Sequence, residues 1–209
     1  MTLSSTVPPA ITTIVFDVGK VLVDFNFDSF VSFISNRGAQ VASTGEFIER
    51  TRLLDYETGA LTDEQFLGNI NLLLEHPAAH DELTHHWRRV FSPIPEMLEL
   101  AVQCKLRYRV FLLSNTNPLH WSYLEETFNL QNRSHGAMTS FRAKAMKPAL
   151  EIYQATADAF SLEPAQTVFI DDIQKHVTAA QGLGWHALKH EGYQATLDAL
   201  RRLGVQPFV

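Results

Sequence analysis

Residues 11–20 have the sequence ITTIVFDVGK, in which β-branched and aromatic side chains lead to Asp17 and then to Gly19. An apolar run of this length and composition predicts a β-strand that is buried on both faces. Gly19 predicts the point at which the strand passes into a loop. Asp17 is therefore expected at the carboxyl end of a buried strand.

Three further segments place polar side chains at the ends of predicted strands. They are FLLSNTN with Ser114 and Asn115, AMKP with Lys147, and VFIDD with Asp171 and Asp172. Ligands of an open parallel sheet bind beyond the carboxyl ends of the strands, so one fold can bring all four segments to one cleft. Carboxylates, a lysine and a hydroxyl suit a magnesium ion and a phosphoryl group better than they suit a core.

The remaining pattern predicts an α/β fold with an insertion. After Pro93 and Pro95, helical and strand patterns alternate, which predicts a Rossmann-like parallel sheet with helices on both faces. Residues 25–92 instead show helical spacing with almost no β-branched runs. We therefore assign residues 1–24 and 93–209 to an α/β core, and residues 25–92 to an all-helical cap inserted after the first strand.

Two local patterns support helices within the insert. The segment FDSFVSFISNRG places Phe27, Phe30, Val31 and Ile34 on one apolar stripe. Thr62 and Gln65 have the spacing of a capping box at the start of the helix predicted for TDEQFLGNINLLLEH, residues 62–76. Both patterns predict helices that bury one face against their neighbours.

The composition argues against several classes of protein. The chain has 209 residues and a formal net charge of -6, whereas nucleic-acid binding requires a basic face. The single cysteine, Cys104, is predicted to be a buried apolar residue and cannot form a disulfide within the chain. No segment approaches ~18 consecutive apolar residues, and residues 1–10 look like a disordered lead without signal-peptide features. We expect a cytoplasmic protein without a nucleic-acid or membrane partner.

The four segments, their order and the helical insert resemble the haloacid dehalogenase (HAD) superfamily. The resemblance covers essentially the whole chain. The phrases FDVGKVLVDFN, VFLLSNTN, KP and FIDD, with YETGALTDEQF and HWRRVF in the insert, are most similar to the α-D-glucose-1-phosphate phosphatase branch. This resemblance implies a magnesium-dependent phosphatase acting on a small phosphorylated metabolite such as a sugar phosphate.

The resemblance also implies a nucleophile and a metal site. Asp17 would attack phosphorus and form an aspartyl-phosphate. Mg²⁺ would be held by Asp17, the backbone carbonyl of Gly19 and the carboxylate of Asp172, with Asp171 orienting the water shell of the ion. Oxygen ligands of this kind are those that Mg²⁺ prefers.

Two other segments are implied to bind the phosphoryl group. The resemblance assigns the Ser114 hydroxyl and the backbone amide of Asn115 to phosphoryl oxygens. It assigns Lys147 to neutralising the charge on Asp17 and on the phosphoryl group. Each residue taken alone is also compatible with an ordinary loop or surface position, so the four segments carry weight only together.

Gly19 departs from the family pattern, which has a second aspartate there as general acid and base. Glycine can neither protonate a leaving group nor activate water. Two alternatives to the phosphatase therefore stay open: a metal-independent haloacid dehalogenase, and a catalytically impaired protein that binds a phosphorylated metabolite.

Lys20 either adds positive charge to the cleft or points into solvent. In the insert, Glu57 and Trp87 are predicted to contact the leaving group.

Overall fold

The computed structural model describes residues 10–207, so most of the predicted lead lies outside the described residues. The strands are β1 (Thr13–Phe16), β2 (Val23–Phe25), β3 (Phe91–Pro93), β4 (Arg109–Ser114), β5 (Ala137–Thr139), β6 (Thr167–Asp171) and β7 (His186–Lys189). The helices are α1 (Asp28–Ser35), α2 (Thr44–Thr51), α3 (Leu53–Glu57), α4 (Asp63–Asn71), α5 (His80–Arg88), α6 (Pro95–Lys105), α7 (Pro118–Phe128), α8 (Leu130–Arg133), α9 (Ser140–Ala143), α10 (Leu150–Phe160), α11 (Gln174–Gly182) and α12 (Tyr193–Arg202). Within residues 10–207, no helix has the length and apolar character needed to cross a membrane.

Five strands form a parallel sheet in the order β5-β4-β1-β6-β7. Successive residues of each central strand point to opposite faces, and each face is covered by its own apolar cluster. Phe16 and Ile170 belong to one cluster, whereas Val15 and Phe169 belong to the other. Burial on both faces explains the continuous apolar runs in the sequence and confirms the predicted α/β fold.

The register of the sheet determines where the polar side chains lie. Phe16 on the central strand β1 is aligned with Leu112 on β4 and with Ile170 on β6. The Asp17 N–H extends this ladder by donating to the Ile170 carbonyl at 2.8 Å. The strand order reverses at β1, so the cleft beyond its carboxyl end is the expected ligand site.

A helical insert, consisting of α1 to α5, lies between the short strands β2 and β3. These strands are antiparallel, with Val23 opposite Pro93 and Phe25 opposite Phe91. The insert has its own apolar cluster, which includes Phe30, Tyr56, Phe66, Ile70, Leu83 and Trp87. Its helices occupy the segment that the sequence pattern assigned to a cap, and the division into separate domains stays a prediction.

Local details of the insert follow from individual residues. The capping box at Thr62 is confirmed, because its hydroxyl accepts from the Gln65 N–H while the Gln65 side chain accepts from the Thr62 N–H. Arg52 has a φ of 56°, which separates α2 from α3 within one helical pattern. The predicted stripe on α1 is only partly buried: Phe30 and Ile34 are covered, but Val31 is 51% exposed.

A buried polar cluster joins the insert to the core. The Asn117 Oδ1 atom accepts from the His120 N–H at 3.0 Å and from Trp87 Nε1 at 3.4 Å. The rings of Trp87 and His120 stack with their centroids 4.5 Å apart, and His120 Nε2 donates to the Trp87 carbonyl at 2.9 Å. Burial lowers the pKa of His120 to about 3, so its ring is neutral. Trp87 therefore ties the insert to α7. His120 covers one face of the Trp87 ring, which was predicted to contact the leaving group.

Candidate active site

Three carboxylates meet beyond the ends of β1 and β6. Asp17, Asp171 and Asp172 each offer an oxygen atom, and these atoms all lie within 4.8 Å of one another. Asp17 and Asp171 are buried, whereas Asp172 is partly buried. The structure thus brings together the three acidic residues that the sequence placed at two separate strand ends.

Lys147 supplies a buried positive charge between two of these carboxylates. Its Nζ atom donates to Asp17 Oδ1 at 2.8 Å, to Asp171 Oδ2 at 2.7 Å and to the Leu113 carbonyl at 3.1 Å. These three contacts use all the hydrogen-bond donors of the ammonium group. The side chain is consequently fixed and points at the carboxyl end of β1.

Asn115 holds the loop that carries Lys147. Its Nδ2 atom donates to the Lys147 carbonyl at 3.0 Å, and its Oδ1 atom accepts from the Lys147 N–H at 2.8 Å. This reciprocal pair occupies both ends of the Asn115 side chain. Any contact between Asn115 and a phosphoryl group would thus involve its backbone amide, as the family resemblance implied.

Asp171 has two further partners that were not predicted from the sequence. It accepts from His176 Nδ1 at 3.0 Å and from the Ile173 N–H at 2.8 Å. Burial by itself would raise the pKa of Asp171, but the hydrogen bonds from His176 and Lys147 outweigh it and hold the pKa at about 2. The Tyr153 hydroxyl fixes His176 by donating to its carbonyl at 3.0 Å. Asp171 is therefore an ionised group that positions Lys147.

Asp17 is held in a different environment. Its Oδ1 atom accepts from the Val18 N–H at 2.7 Å as well as from Lys147. Burial and the nearby Asp171 carboxylate together raise the pKa of Asp17 to about 7, against the opposing charge of Lys147. Within residues 10–207, no group donates a hydrogen bond to Asp17 Oδ2. That oxygen is the one left available for a ligand.

The charges in this cluster do not balance. Three carboxylates face one ammonium group, so the fully ionised cluster carries two negative charges without a partner. Buried charge is costly unless it is paired or coordinates a metal ion. Carboxylate oxygens are ligands that a hard divalent cation such as Mg²⁺ prefers. The donor set and its excess of negative charge therefore fit a divalent cation.

Ser114 lies at the end of β4 beside this cluster. Its side chain is buried, and no other residue in the described part of the chain forms a hydrogen bond with its hydroxyl. The loop after Asn115 is fixed because the Ser140 hydroxyl accepts from the Thr116 N–H at 3.0 Å and donates to the Thr116 carbonyl at 2.9 Å. The Ser114 hydroxyl thus lies at the end of β4, next to a rigid loop, and is free to bind a ligand.

The loop after Asp17 has its strained backbone at Lys20 and not at Gly19. Gly19 does not have a positive φ, and a Cβ atom there would lie 3.1 Å from Phe25 Cε1. The strained position is Lys20, with a φ of 60°. The Lys20 ammonium group forms an ion pair with Asp24 and lies 4.5 Å from the centroid of the Phe25 ring. Lys20 therefore braces the loop and is not part of the carboxylate cluster.

A cavity of about 680 Å³ extends from this edge of the sheet into the insert. Gly19, Ser114 and Asn115 line its core end, and residues 25–57 contribute most of its walls. Glu57 is the one aspartate, glutamate, lysine or arginine among the lining residues. Burial raises the pKa of Glu57 to about 7. This residue faces the cavity, in keeping with its predicted position near a leaving group.

Comparison with known proteins places the chain among hydrolases. The family profile described as haloacid dehalogenase-like hydrolase matches residues 11–184. A D-ribitol-5-phosphate phosphatase from Bacteroides thetaiotaomicron is 26% identical over 190 residues, covering 87% of this chain and 92% of the relative. These two matches extend over both the sheet and the insert.

Two solved structures illustrate the shared fold. A HAD family enzyme from Bacteroides thetaiotaomicron, crystallised with magnesium and inorganic phosphate, has a TM-score of 0.79 and 24% identity, covering 87% of this chain and 95% of its own. The L-2-haloacid dehalogenase from Xanthobacter autotrophicus, with chloropropionic acid covalently bound, has a TM-score of 0.60 and 16% identity, covering 94% and 85%. At these identities the likeness establishes the fold.

Replacing Glu57 with glutamine should make the protein more stable at high pH. Between the ordinary value of 4.5 and about 7, the unfolded chain releases a proton that the folded protein keeps, so Glu57 lowers stability as pH rises through this range. Glu57→Gln should increase the free energy of unfolding at pH 8 by on the order of 1–2 kcal/mol, and it should have little effect at pH 4.

Urea unfolding of both proteins at the two pH values measures this difference. Glu99→Gln, which changes an exposed glutamate on α6, is the matched control and should give the same small effect at both. An equal gain from Glu57→Gln at pH 4 and pH 8 would contradict the burial of an ionisable group in the cavity.

Proposed function

Because the chain belongs to the haloacid dehalogenase-like hydrolase family, we propose that it hydrolyses a small phosphorylated metabolite by way of Asp17. The observation that carries this proposal is the buried Lys147 ammonium group bonded to both Asp17 and Asp171 at the end of the central strand. A carboxylate attacks a phosphoryl dianion only where their mutual repulsion is offset, and this ammonium group offsets part of it. The similarity to a D-ribitol-5-phosphate phosphatase supports the same reaction class.

Magnesium is the cofactor that we propose for the carboxylate cluster. Asp17, Asp172 and the Gly19 carbonyl would hold the ion, and Asp171 would orient its water shell. Once bound, Mg²⁺ would neutralise charge on the carboxylates and on the phosphoryl oxygens. The unbalanced negative charge of the cluster supports this assignment.

In the proposed first step, Asp17 Oδ2 attacks phosphorus and the bond between phosphorus and the ester oxygen breaks. The leaving group departs with the bonding electron pair and takes up a proton. Hydrogen bonds from Lys147 and the Val18 N–H to Oδ1 fix the carboxylate during the attack. The Ser114 hydroxyl and the Asn115 amide would bind phosphoryl oxygens and hold the group in line.

In the second step, water attacks the aspartyl-phosphate, inorganic phosphate departs and the Asp17 carboxylate is restored. Gly19 offers no side chain to move a proton in either step. Solvent would therefore supply the proton for the leaving group unless a residue of the insert does so. Lys147 remains bonded to Asp171 throughout and keeps a positive charge beside the phosphoryl group.

Haloacid dehalogenation is the second candidate function, and two observations bear on it. The apolar cavity would suit the alkyl part of a haloacid, and a dehalogenase shares the fold. A haloacid is itself an anion, however, and the cluster already has excess negative charge. The phosphatase accounts for Asp172, which a metal-independent dehalogenase does not require. A binding protein without activity rests on Gly19 alone.

The sugar-phosphate substrate and the glucose-1-phosphate branch stay predictions. The similarity to a D-ribitol-5-phosphate phosphatase is the reason to include polyol and sugar phosphates in a substrate panel. A panel of phosphorylated metabolites, assayed with and without Mg²⁺, distinguishes the phosphatase from both alternatives.

Replacing Asp17 with asparagine should abolish turnover of acetyl phosphate. The amide cannot form the covalent intermediate, and loss of such a nucleophile lowers the rate by about 10³-fold or more. Circular dichroism should show a folded protein. A variant that retains more than about a tenth of the wild-type rate would exclude the covalent route.

Magnesium binding should depend more on Asp172 than on Lys147. Titration calorimetry of Mg²⁺ should show weaker binding to Asp172→Ala, because a ligand is lost. Lys147→Ala removes a competing positive charge and should not weaken binding to the same extent. Full activity of the wild-type enzyme in excess chelator would instead favour dehalogenation.

Gly19→Asp should help the enzyme most with poor leaving groups. A carboxyl group at this position can donate a proton to an alkoxide, which typically increases a rate by about 10²-fold or more, whereas an aryl phosphate needs no such help. Gly19→Ala is the matched control, because both variants place a Cβ atom against Phe25. The ratio of alkyl to aryl phosphate rates should rise in Gly19→Asp only. Equal ratios in the two variants would show that an acid is already present elsewhere.

A further inference from the structure

The large cavity is continuous with the proposed phosphoryl site. Gly19, Ser114 and Asn115 line one end of it, next to the Asp17 loop and the end of β4. A phosphoryl group held there would direct the rest of its molecule into the cavity. The walls of the cavity therefore define the chemistry of the leaving group, provided that the proposed function is correct.

These walls are mainly apolar. Fifteen of the 24 lining residues are aromatic or aliphatic, which leaves few groups able to bond a hydroxyl-rich ligand. The fifteen apolar residues are Phe25, Phe27, Phe30, Val31, Ile34, Ala39, Val41, Ala42, Phe47, Ile48, Leu53, Leu54, Trp87, Phe91 and Leu124.

Several polar groups in the lining already have partners. Ser43 caps α2 by accepting from the Glu46 N–H at 3.2 Å. Both ring nitrogens of His120 are bonded, one to Asn117 and the other to the Trp87 carbonyl. The Glu57 side chain has no hydrogen-bond partner among the described residues, and its burial favours the neutral acid. The side chains left to bond a polyol are those of Ser35, Thr44, Thr116 and Glu57. Each hydroxyl group that packed against the apolar wall would lack a partner, which is energetically costly.

Two large apolar side chains in the lining remain half exposed. Val31 on α1 is 51% exposed and Leu54 on α3 is 54% exposed. Folding has left this apolar surface in contact with water, and an apolar ligand would cover it. Their exposure is thus a second observation, independent of the count of lining residues.

We infer that this cavity receives the apolar alkyl or aryl part of a phosphate monoester. The substrate class is therefore a phosphate ester of an apolar alcohol or phenol, and a sugar or polyol phosphate is a poorer fit. This inference rests on the proposed function for the position of the phosphoryl group. Aryl esters also suit Gly19, because a phenolate leaves without a general acid.

Binding of n-alkylphosphonates in the presence of Mg²⁺ tests the inference without requiring turnover. Titration calorimetry with methyl-, propyl- and pentylphosphonate should show the Kd falling about fourfold for each added methylene, the factor expected for burying one CH₂ group. A Kd that does not change with chain length would overturn the inference.

Two exposed leucines in the insert provide a matched pair of variants. Leu54→Asn places a polar group in the cavity wall and should raise the Kd of pentylphosphonate several-fold, with little effect on methylphosphonate. Leu72→Asn changes a leucine that is 80% exposed and does not line the cavity, and both Kd values should stay unchanged. Equal effects of the two variants on pentylphosphonate would overturn the assignment of the cavity.

Turnover then separates this inference from the proposed function. Pentyl phosphate and D-ribitol 5-phosphate share a five-carbon chain and differ in hydroxyl groups, and we expect a kcat/KM at least tenfold higher for pentyl phosphate. Preference for D-ribitol 5-phosphate would overturn the inference while the phosphatase function stands. Chain-length-dependent phosphonate binding without hydrolysis of acetyl phosphate or any ester would overturn the function and leave the apolar cavity supported.

Discussion

The buried ammonium group of Lys147 is the interaction on which the site depends. It bonds to carboxylates that follow two adjacent strands, β1 and β6, and to a carbonyl of β4. Without this charge, Asp17 and Asp171 would be two buried anions close to each other, which a protein interior does not tolerate without a counter-ion. The site therefore combines three strand ends, a fixed cation and an excess of negative charge. That excess fits the divalent ion proposed for the site.

The sequence was most informative where the backbone itself places a side chain. Asp17, Ser114 and Asp171 end or follow strands of a parallel sheet. Because ligands of such a sheet bind beyond the carboxyl ends of its strands, recognising the strands was enough to predict that these residues share one edge. The predicted α/β fold follows from the same patterns. Lys147 and Asn115 were predicted to lie at the site, but their mutual hydrogen bonds were not predicted.

Other features depend on packing between segments that are distant in sequence. His176 lies in the first turn of α11, where nothing in the sequence distinguishes it from other histidines. Only the folded structure shows its contact with Asp171. Trp87 has an aromatic ring suited to a substrate, but the stacking of His120 on it cannot be predicted from spacing. Val31 follows the helical stripe, yet it faces a cavity where the stripe predicted a core. Periodicity indicates which face of a helix is apolar, but it does not indicate whether protein or ligand covers that face.

The antiparallel pairing of β2 with β3 has a consequence for how the molecule can vary. Because Phe25 lies opposite Phe91, the two chain ends of the insert are neighbours on the core. A segment whose ends already lie together can be lengthened, shortened or exchanged at a small cost in loop-closure entropy, and the sheet register is unaffected. The insert is bonded to the core by a small set of contacts, which include Trp87 with Asn117 and His120, Tyr56 with the Leu119 N–H, and Arg88 with Glu126. Changes to the insert that keep these few joining residues would therefore reshape the chamber without displacing the Asp17 loop.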